Sequence, residues 1–288
     1  MEMAKLGQRY ENLMEESHVA YCTNTRAGFL AAVEKSKEAA TVTDLMGGAY
    51  GAFCRTNTEQ CQANSYMLLG EVAAAARSAL SSLQSARAMG SRTVLVKAMF
   101  GCGAVAETAP VEMAAAEIES REQERLSGLP PSYGLDLSQE GRINLPTTPA
   151  DPNRLRLAYN EAAVIICDTA LAAVGGRGSR AAADTLRVPD LYSEAQARGC
   201  LGYCLLELDE EKQCGWELVR QALALRRQVL RFAKPGRATL NAQQGLIDEL
   251  TILEEKLLVY GHGSDRVAEA AACRREALAL CETLGAYA

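Results

Sequence analysis

The chain is poor in aromatic side chains: they make up 5% of its 288 residues, with one Trp and 4 Phe. Strands favour aromatic and β-branched residues, and no alternating apolar–polar run here is long enough to define one. An all-β sandwich or barrel is excluded on that ground. Histidine is scarcer still, represented only by His18 and His262. Neither stands in a motif with Ser or Cys that suggests a nucleophile, so no catalytic triad is expected. No clustered set of acids, His or metal ligands marks an enzyme, and no cofactor or metal is called for. No segment approaches the ~18–20 uninterrupted apolar residues of a membrane-crossing helix. The opening MEMAKLGQRYENLMEESH is charged throughout and lacks the apolar core of a secretory signal. An intracellular, cytoplasmic chain is expected. The net charge of −6 offers no basic excess for nucleic acid.

Alanine is what the sequence has in quantity, with 49 residues. It is the best helix former and a poor strand former. Hydrophobic residues reach 48% and charges of both signs 23%, a balance that folds rather than staying disordered. Apolar positions recur at helical spacing, as in Tyr66, Leu69, Ala73 and Ala76, or Leu218, Ala222, Leu225 and Val229. The pattern predicts helices over 3–20, 26–40, 42–54, 59–76, 78–89, 92–106, 109–126, 153–174, 190–208, 211–233, 237–260 and 264–284, with a short piece at 179–186.

Five of the eight prolines fall in 127–152, which cannot be one helix because proline removes a donor and clashes with the preceding turn. This loop divides the chain into N-terminal helical repeats, 1–126, and C-terminal helical repeats, 153–288. The two stretches are alike in composition and are expected to form one continuous array. The ten Cys sit mostly inside alanine-rich helical segments, where cysteine behaves as a small hydrophobe. They are expected to be reduced core thiols.

Helix pairs joined by short polar turns suggest a repeat protein. Leu69-Gly70 and Leu201-Gly202 share a Leu-Gly pair, and Gly70, Gly103 and Gly202 are spaced by 33 residues and three times 33. A small residue at such a position lets the two helices of a unit approach closely. The run from Gln221 through Ala222-Leu223-Ala224-Leu225 to Leu230, followed by Lys234-Pro235-Gly236-Arg237-Ala238-Thr239-Leu240-Asn241, resembles a tetratricopeptide repeat of the kinesin-light-chain type. Glu276-Ala277-Leu278-Ala279-Leu280 repeats the second-helix run, and Tyr159-Asn160 resembles the start of a first helix. The distance from Asn241 to the second A-L-A-L run is longer than that family's repeat. The resemblance implies an all-α, right-handed superhelical array of antiparallel helix hairpins, with first helices lining a concave groove. The last helix would cap the array, with Glu269, Arg274, Arg275 and Glu282 facing water.

Several constellations have both a functional and a structural reading. Cys200 and Cys204 form half of a zinc-type ligand set, or buried thiols. Gly175-Gly176-Arg177-Gly178 presents amides to a phosphate, or simply stops a helix. Arg220, Arg226, Arg227, Arg231, Lys234 and Arg237 form a basic run suited to an acidic partner, or complement the helix dipole after the acids at 207–211. His262, between Gly261 and Gly263, reads as a turn residue, and Glu117/Arg121 as a solvated i,i+4 pair. Asn64, Asn160 and Asn241 open first helices, where an amide suits an extended peptide backbone or a helix cap.

The expected function is a non-enzymatic protein–protein interaction scaffold or an assembly subunit of a larger complex. Its partner, a peptide or helix, would lie in the groove across Asn160, Tyr203, Arg237 and Asn241. The alternative is a small regulatory or ligand/metal-binding helical domain using the Gly/Arg or Cys clusters.

Overall fold

A computed structural model describes residues 2–89, 92–127, 155–173, 188–208, 212–233, 237–261 and 263–285. Among them the fold is all-α, with eleven helices and no strand: α1 (Glu2–Cys22), α2 (Arg26–Met46), α3 (Gly48–Leu69), α4 (Val72–Met89), α5 (Arg92–Thr108), α6 (Pro110–Ser127), α7 (Leu155–Ala173), α8 (Val188–Glu207), α9 (Lys212–Phe232), α10 (Arg237–Tyr260) and α11 (Ser264–Gly285). No described helix is long and apolar enough to cross a membrane. The predicted piece at 179–186, and the proline-rich segment beyond Ser127, lie outside the described residues. The chain divides into two compact units, Met1–Ile166 and Cys167–Ala288, with the boundary inside α7.

In the N-terminal unit, each of α1 to α5 packs on the next, and α6 lies against α4 and α5. The turn from α1 to α2 is tight. Asn24 takes φ 50°, and the Thr25 hydroxyl caps α2 by accepting from the Gly28 amide at 3.1 Å. A Cβ on Gly28 would fall 2.4 Å from the Ala20 carbonyl oxygen, so only glycine fits there. Between α1 and α2, the Ser17 hydroxyl donates to the Ala32 carbonyl at 3.0 Å. Tyr10 reaches from α1 to the Cys54 carbonyl of α3 at 3.1 Å, over a core of Leu13, Ala39, Val42 and Met46.

Here the sequence pattern misplaced three boundaries, one of them by running the expected helix 59–76 through Gly70, where α3 ends and α4 follows from Val72. Breaks expected after residues 40 and 54 do not occur; the chain runs helical to Met46, stops at Gly47–Gly48, and continues unbroken to Leu69. The hydroxyls of Thr41, Thr56 and Thr58 donate to the carbonyls of Lys37, Ala52 and Cys54, four residues back. Bonded that way, a threonine stays in the helix. The true stop is the glycine pair, both at φ 60°.

The C-terminal unit is built from two long hairpins, α8–α9 and α10–α11. Helix α9 also packs on α10, and α8 touches α10 directly. The expected stripe on α9 is all buried: Leu218, Ala222, Leu225 and Val229. Leu225 and Val229 pack with Leu191, Ala195 and Ala242, while Tyr203, Leu206, Trp216, Val219 and Leu223 meet Leu246, Leu250, Leu253 and Leu257 of α10 in a second core that Ala270, Cys273 and Ala277 of α11 close.

The three spaced glycines do three different jobs. Gly202 sits at the α8–α9 crossing, where an added Cβ would lie 2.8 Å from the Gly215 carbonyl oxygen. It is the small residue that the close approach of two helices demands. Gly70 instead ends α3 at φ 77°, with open space around it. Gly103 faces the Asn160 side chain. Their 33-residue spacing is therefore not a structural period.

Candidate functional site

The interior of the C-terminal unit contains a charged centre. Arg226 comes from α9, Glu249 from α10, and Tyr203 from α8, and all three are buried. The Tyr203 hydroxyl donates to Glu249 Oε1 at 2.7 Å, and Arg226 Nε donates to Oε2 at 3.5 Å. The guanidinium lies 4.2 Å from the centroid of the Tyr192 ring on α8, a stacked cation–π arrangement. Arg226 Nη1 is buried without a hydrogen-bond acceptor among the described residues. Two glycines make room for these groups. A Cβ on Gly199 would sit 2.9 Å from Glu249 Oε1, and one on Gly245 would sit 3.4 Å from Arg226 Nη1 and 3.2 Å from the Tyr192 ring.

Burial pushes the Glu249 carboxyl above its ordinary range, against the opposing effects of Tyr203 and Arg226. Burial, with the Glu249 charge beside it, drives the Tyr203 phenol far up, so it remains a hydrogen-bond donor. What this arrangement does chemically is fix three helices. One carboxylate is shared by donors from two other helices, which holds α8 and α10 side by side with α9 behind them. A second buried cluster adds to it: Arg198 of α8 donates to Glu194 at 2.9 Å and to Gln221 of α9 at 3.1 Å, and also pairs with Asp168 of α7.

Three ion pairs of the C-terminal unit share one offset. Lys256 pairs with Glu207, Arg220 with Glu269, and Arg227 with Glu276, each across 49 residues. Helix α10 therefore stands to α11 much as α8 stands to α9, one hairpin further on. For three residues of the basic run this overturns both readings, and Lys234 of that run lies outside the described residues. Arg220, Arg226 and Arg227 are neither a free patch nor dipole partners, because a carboxylate from the following hairpin meets each of them. Only Arg231 lies in the last turn of α9, where the dipole reading places it. Glu269 likewise does not simply face water but bridges Arg220 and Arg266.

Of the residues expected to bind a partner, Tyr203 lies in the buried centre just described. Asn241 is exposed near the start of α10, beside exposed Leu240. Arg237 opens α10, and its side chain lies outside the described set. Asn160 belongs to the N-terminal unit, buried on α7 with its amide against Gly103. Gly175 to Gly178, His262 and the side chains of Glu117 and Arg121 lie outside the described residues.

The cysteines divide by position. Cys54, Cys102, Cys204 and Cys273 are buried, and Cys61, Cys167 and Cys200 partly so. Cys22, Cys214 and Cys281 are exposed, so these three are not core thiols. None of the ten is in a disulfide. Among the described residues no group of three or more His, Cys, Asp or Glu is arranged to hold a metal ion.

Glu249 and Tyr192 were missed by the sequence reading, although Glu249 carried a signal. It interrupts the apolar stripe Leu246, Leu250, Leu253 and Leu257 at a position that faces the core. Arg226 does the same between Ala222 and Val229. An acid and a base at stripe positions of neighbouring helices are candidates for a buried pair. No protein-family model matches the chain, and no curated protein sequence does.

Proposed function

We propose that this chain is a non-enzymatic protein-binding scaffold whose C-terminal unit is a tetratricopeptide-like array of helix hairpins. The observation that carries the reading is the common register of α8–α9 and α10–α11, marked by three ion pairs at the same 49-residue offset. A hairpin of this size cannot bury its own apolar stripe; a copy stacked beside it can. Stacking places the first helices, α8 and α10, next to each other as a wall. Tyr192, Leu240 and Asn241 stand exposed on those two helices. The buried Tyr203–Glu249–Arg226 centre keeps that wall rigid, and a rigid surface loses less conformational entropy when a partner docks.

The test is co-purification of the chain from its native source, repeated with Asn241→Ala and Arg237→Glu. A specific partner should be retained by the parent chain and weakened by each variant, by about 1–3 kcal/mol where a buried hydrogen bond is lost. Helical signal and melting temperature should stay unchanged. Undiminished binding by both variants would remove the partner from the first helices of this unit.

A further inference from the structure

We propose that the face of α3 beside Lys97 docks an extended peptide of a protein partner, with an Asp or Glu side chain of that peptide seated on Lys97 and Asn57. This rests on the proposed scaffold role, but the site lies in the N-terminal unit, on helices other than α8 and α10. The Lys97 ammonium of α5 donates to Asn57 Oδ1 of α3 at 2.9 Å. No carboxylate among the described residues pairs with it, whereas Lys35, Lys37 and Lys256 each meet a glutamate. The Cys61 thiol, its other polar neighbour, is pushed up by burial and stays neutral. Lys97 is exposed overall, yet the packing around its stem lowers its ammonium below the ordinary value. A partly desolvated positive charge thus stands without an anion. Asn57 uses its oxygen on Lys97, which leaves Nδ2 as a second donor beside the ammonium. Two adjacent donors match the two oxygens of one carboxylate. Gln60 Nε2, buried without an acceptor among the described residues, adds partial positive charge to the same side of α3.

The rest of the face says what kind of peptide fits. Tyr50, Phe53, Asn57, Cys61, Asn64 and Leu68 follow at three- and four-residue steps, so they line one side of α3. Tyr50, Phe53 and Leu68 are exposed apolar groups at the two ends of the polar stretch. Beside that stretch α5 presents Gly101, next to Gln60, and exposed Ala104, both too small to close the face. At a helical rise of ~1.5 Å per residue, Phe53 stands about 6 Å before Asn57 and Leu68 about 16 Å after it. An extended chain advances ~3.3 Å per residue. The face therefore fits an acidic residue about two places from one apolar residue and about five from another. Apolar contacts on both sides make the acid an internal side chain and not a chain end. Asn64, exposed between them, offers its amide to the peptide backbone.

The test selects displayed random decapeptides on the full-length chain, with Lys97→Met for counter-selection. Sequences kept by the parent and lost on Lys97→Met should share an acidic residue with apolar residues at those two distances. One of them, made with both ends capped, is then titrated by fluorescence anisotropy. Replacing its acidic residue by the matching amide, or Lys97 by Met in the protein, should each raise the dissociation constant at least about tenfold, as loss of a charge-assisted hydrogen bond does. Added salt should weaken the parent complex. Lys97→Met should keep its helical signal, and Asn241→Ala should bind the peptide as the parent does. Three results would overturn the site: no peptide that separates the parent from Lys97→Met, an amide peptide that binds equally tightly, or equal loss on Asn241→Ala. The scaffold role falls separately, if no partner from the native source is retained.

Discussion

The substitution Gly202→Ala tests whether the α8–α9 crossing is as close as it looks. An added methyl would lie 2.8 Å from the Gly215 carbonyl oxygen, 3.1 Å from the Val219 nitrogen and 2.7 Å from a Val219 methyl. Two of those three atoms are backbone, so relief requires the helices to part. Ordinary contact begins near 3.4 Å, so they must separate by about 0.6 Å at this point. A gap of that size forfeits a quarter or more of the dispersion energy across it, and here it opens beside Tyr203, Leu206, Trp216 and Val219. Overpacking of this kind costs ~1–3 kcal/mol, and replacing a helical glycine by alanine returns up to ~1 kcal/mol. The net expectation is a loss of about 1–2 kcal/mol.

Gly7→Ala is the opposite case. It lies inside α1 with nothing within 4 Å of an added Cβ, so only the propensity gain of up to ~1 kcal/mol remains. Urea unfolding read by fluorescence isolates the first effect, because the single tryptophan, Trp216, is buried in the C-terminal unit. Gly202→Ala should lower that midpoint without changing the slope. Gly7→Ala should leave the fluorescence midpoint alone and raise the transition seen by circular dichroism for the N-terminal unit. A fluorescence midpoint unchanged or raised in Gly202→Ala would refute the crossing geometry.

Removing one partner of the buried pair, by Arg226→Met or Glu249→Leu, should destabilise the C-terminal unit by ~3–5 kcal/mol, while the double variant should recover most of that loss; equal loss in the double variant would show that the pair is not coupled. Because burial raises the Glu249 carboxyl, the native state holds its proton more tightly than the unfolded chain does. Its contribution is therefore largest below the ordinary carboxylate range and falls away as pH rises through the raised folded value. Stability against pH, compared between parent and Glu249→Gln, should lose that slope in the variant. With a thiol reagent under native conditions, Cys22, Cys214 and Cys281 should react first, and Cys54, Cys102, Cys204 and Cys273 only on unfolding; fast labelling of the buried four would contradict the packing.

The sequence by itself determined the helices of the C-terminal half and the faces they bury. Leu218, Ala222, Leu225 and Val229 are spaced by the helix period alone, and a helix closes its hydrogen bonds within four residues, so both facts are local. The breaks expected after residues 40 and 54 were wrong, since the helices there run through Thr41, Thr56 and Thr58, whose hydroxyls bond back to the preceding turn. What only the tertiary structure decided is which charges meet. Arg226 with Glu249, and the three pairs 49 residues apart, depend on hairpin length and on how closely Gly202 lets α8 and α9 cross. Those are distances between helices, and no spacing within one helix encodes them. The same holds for the two glycines, Gly199 and Gly245, that leave room for a buried ion pair. Their absent side chains acquire meaning only once α8, α9 and α10 stand together.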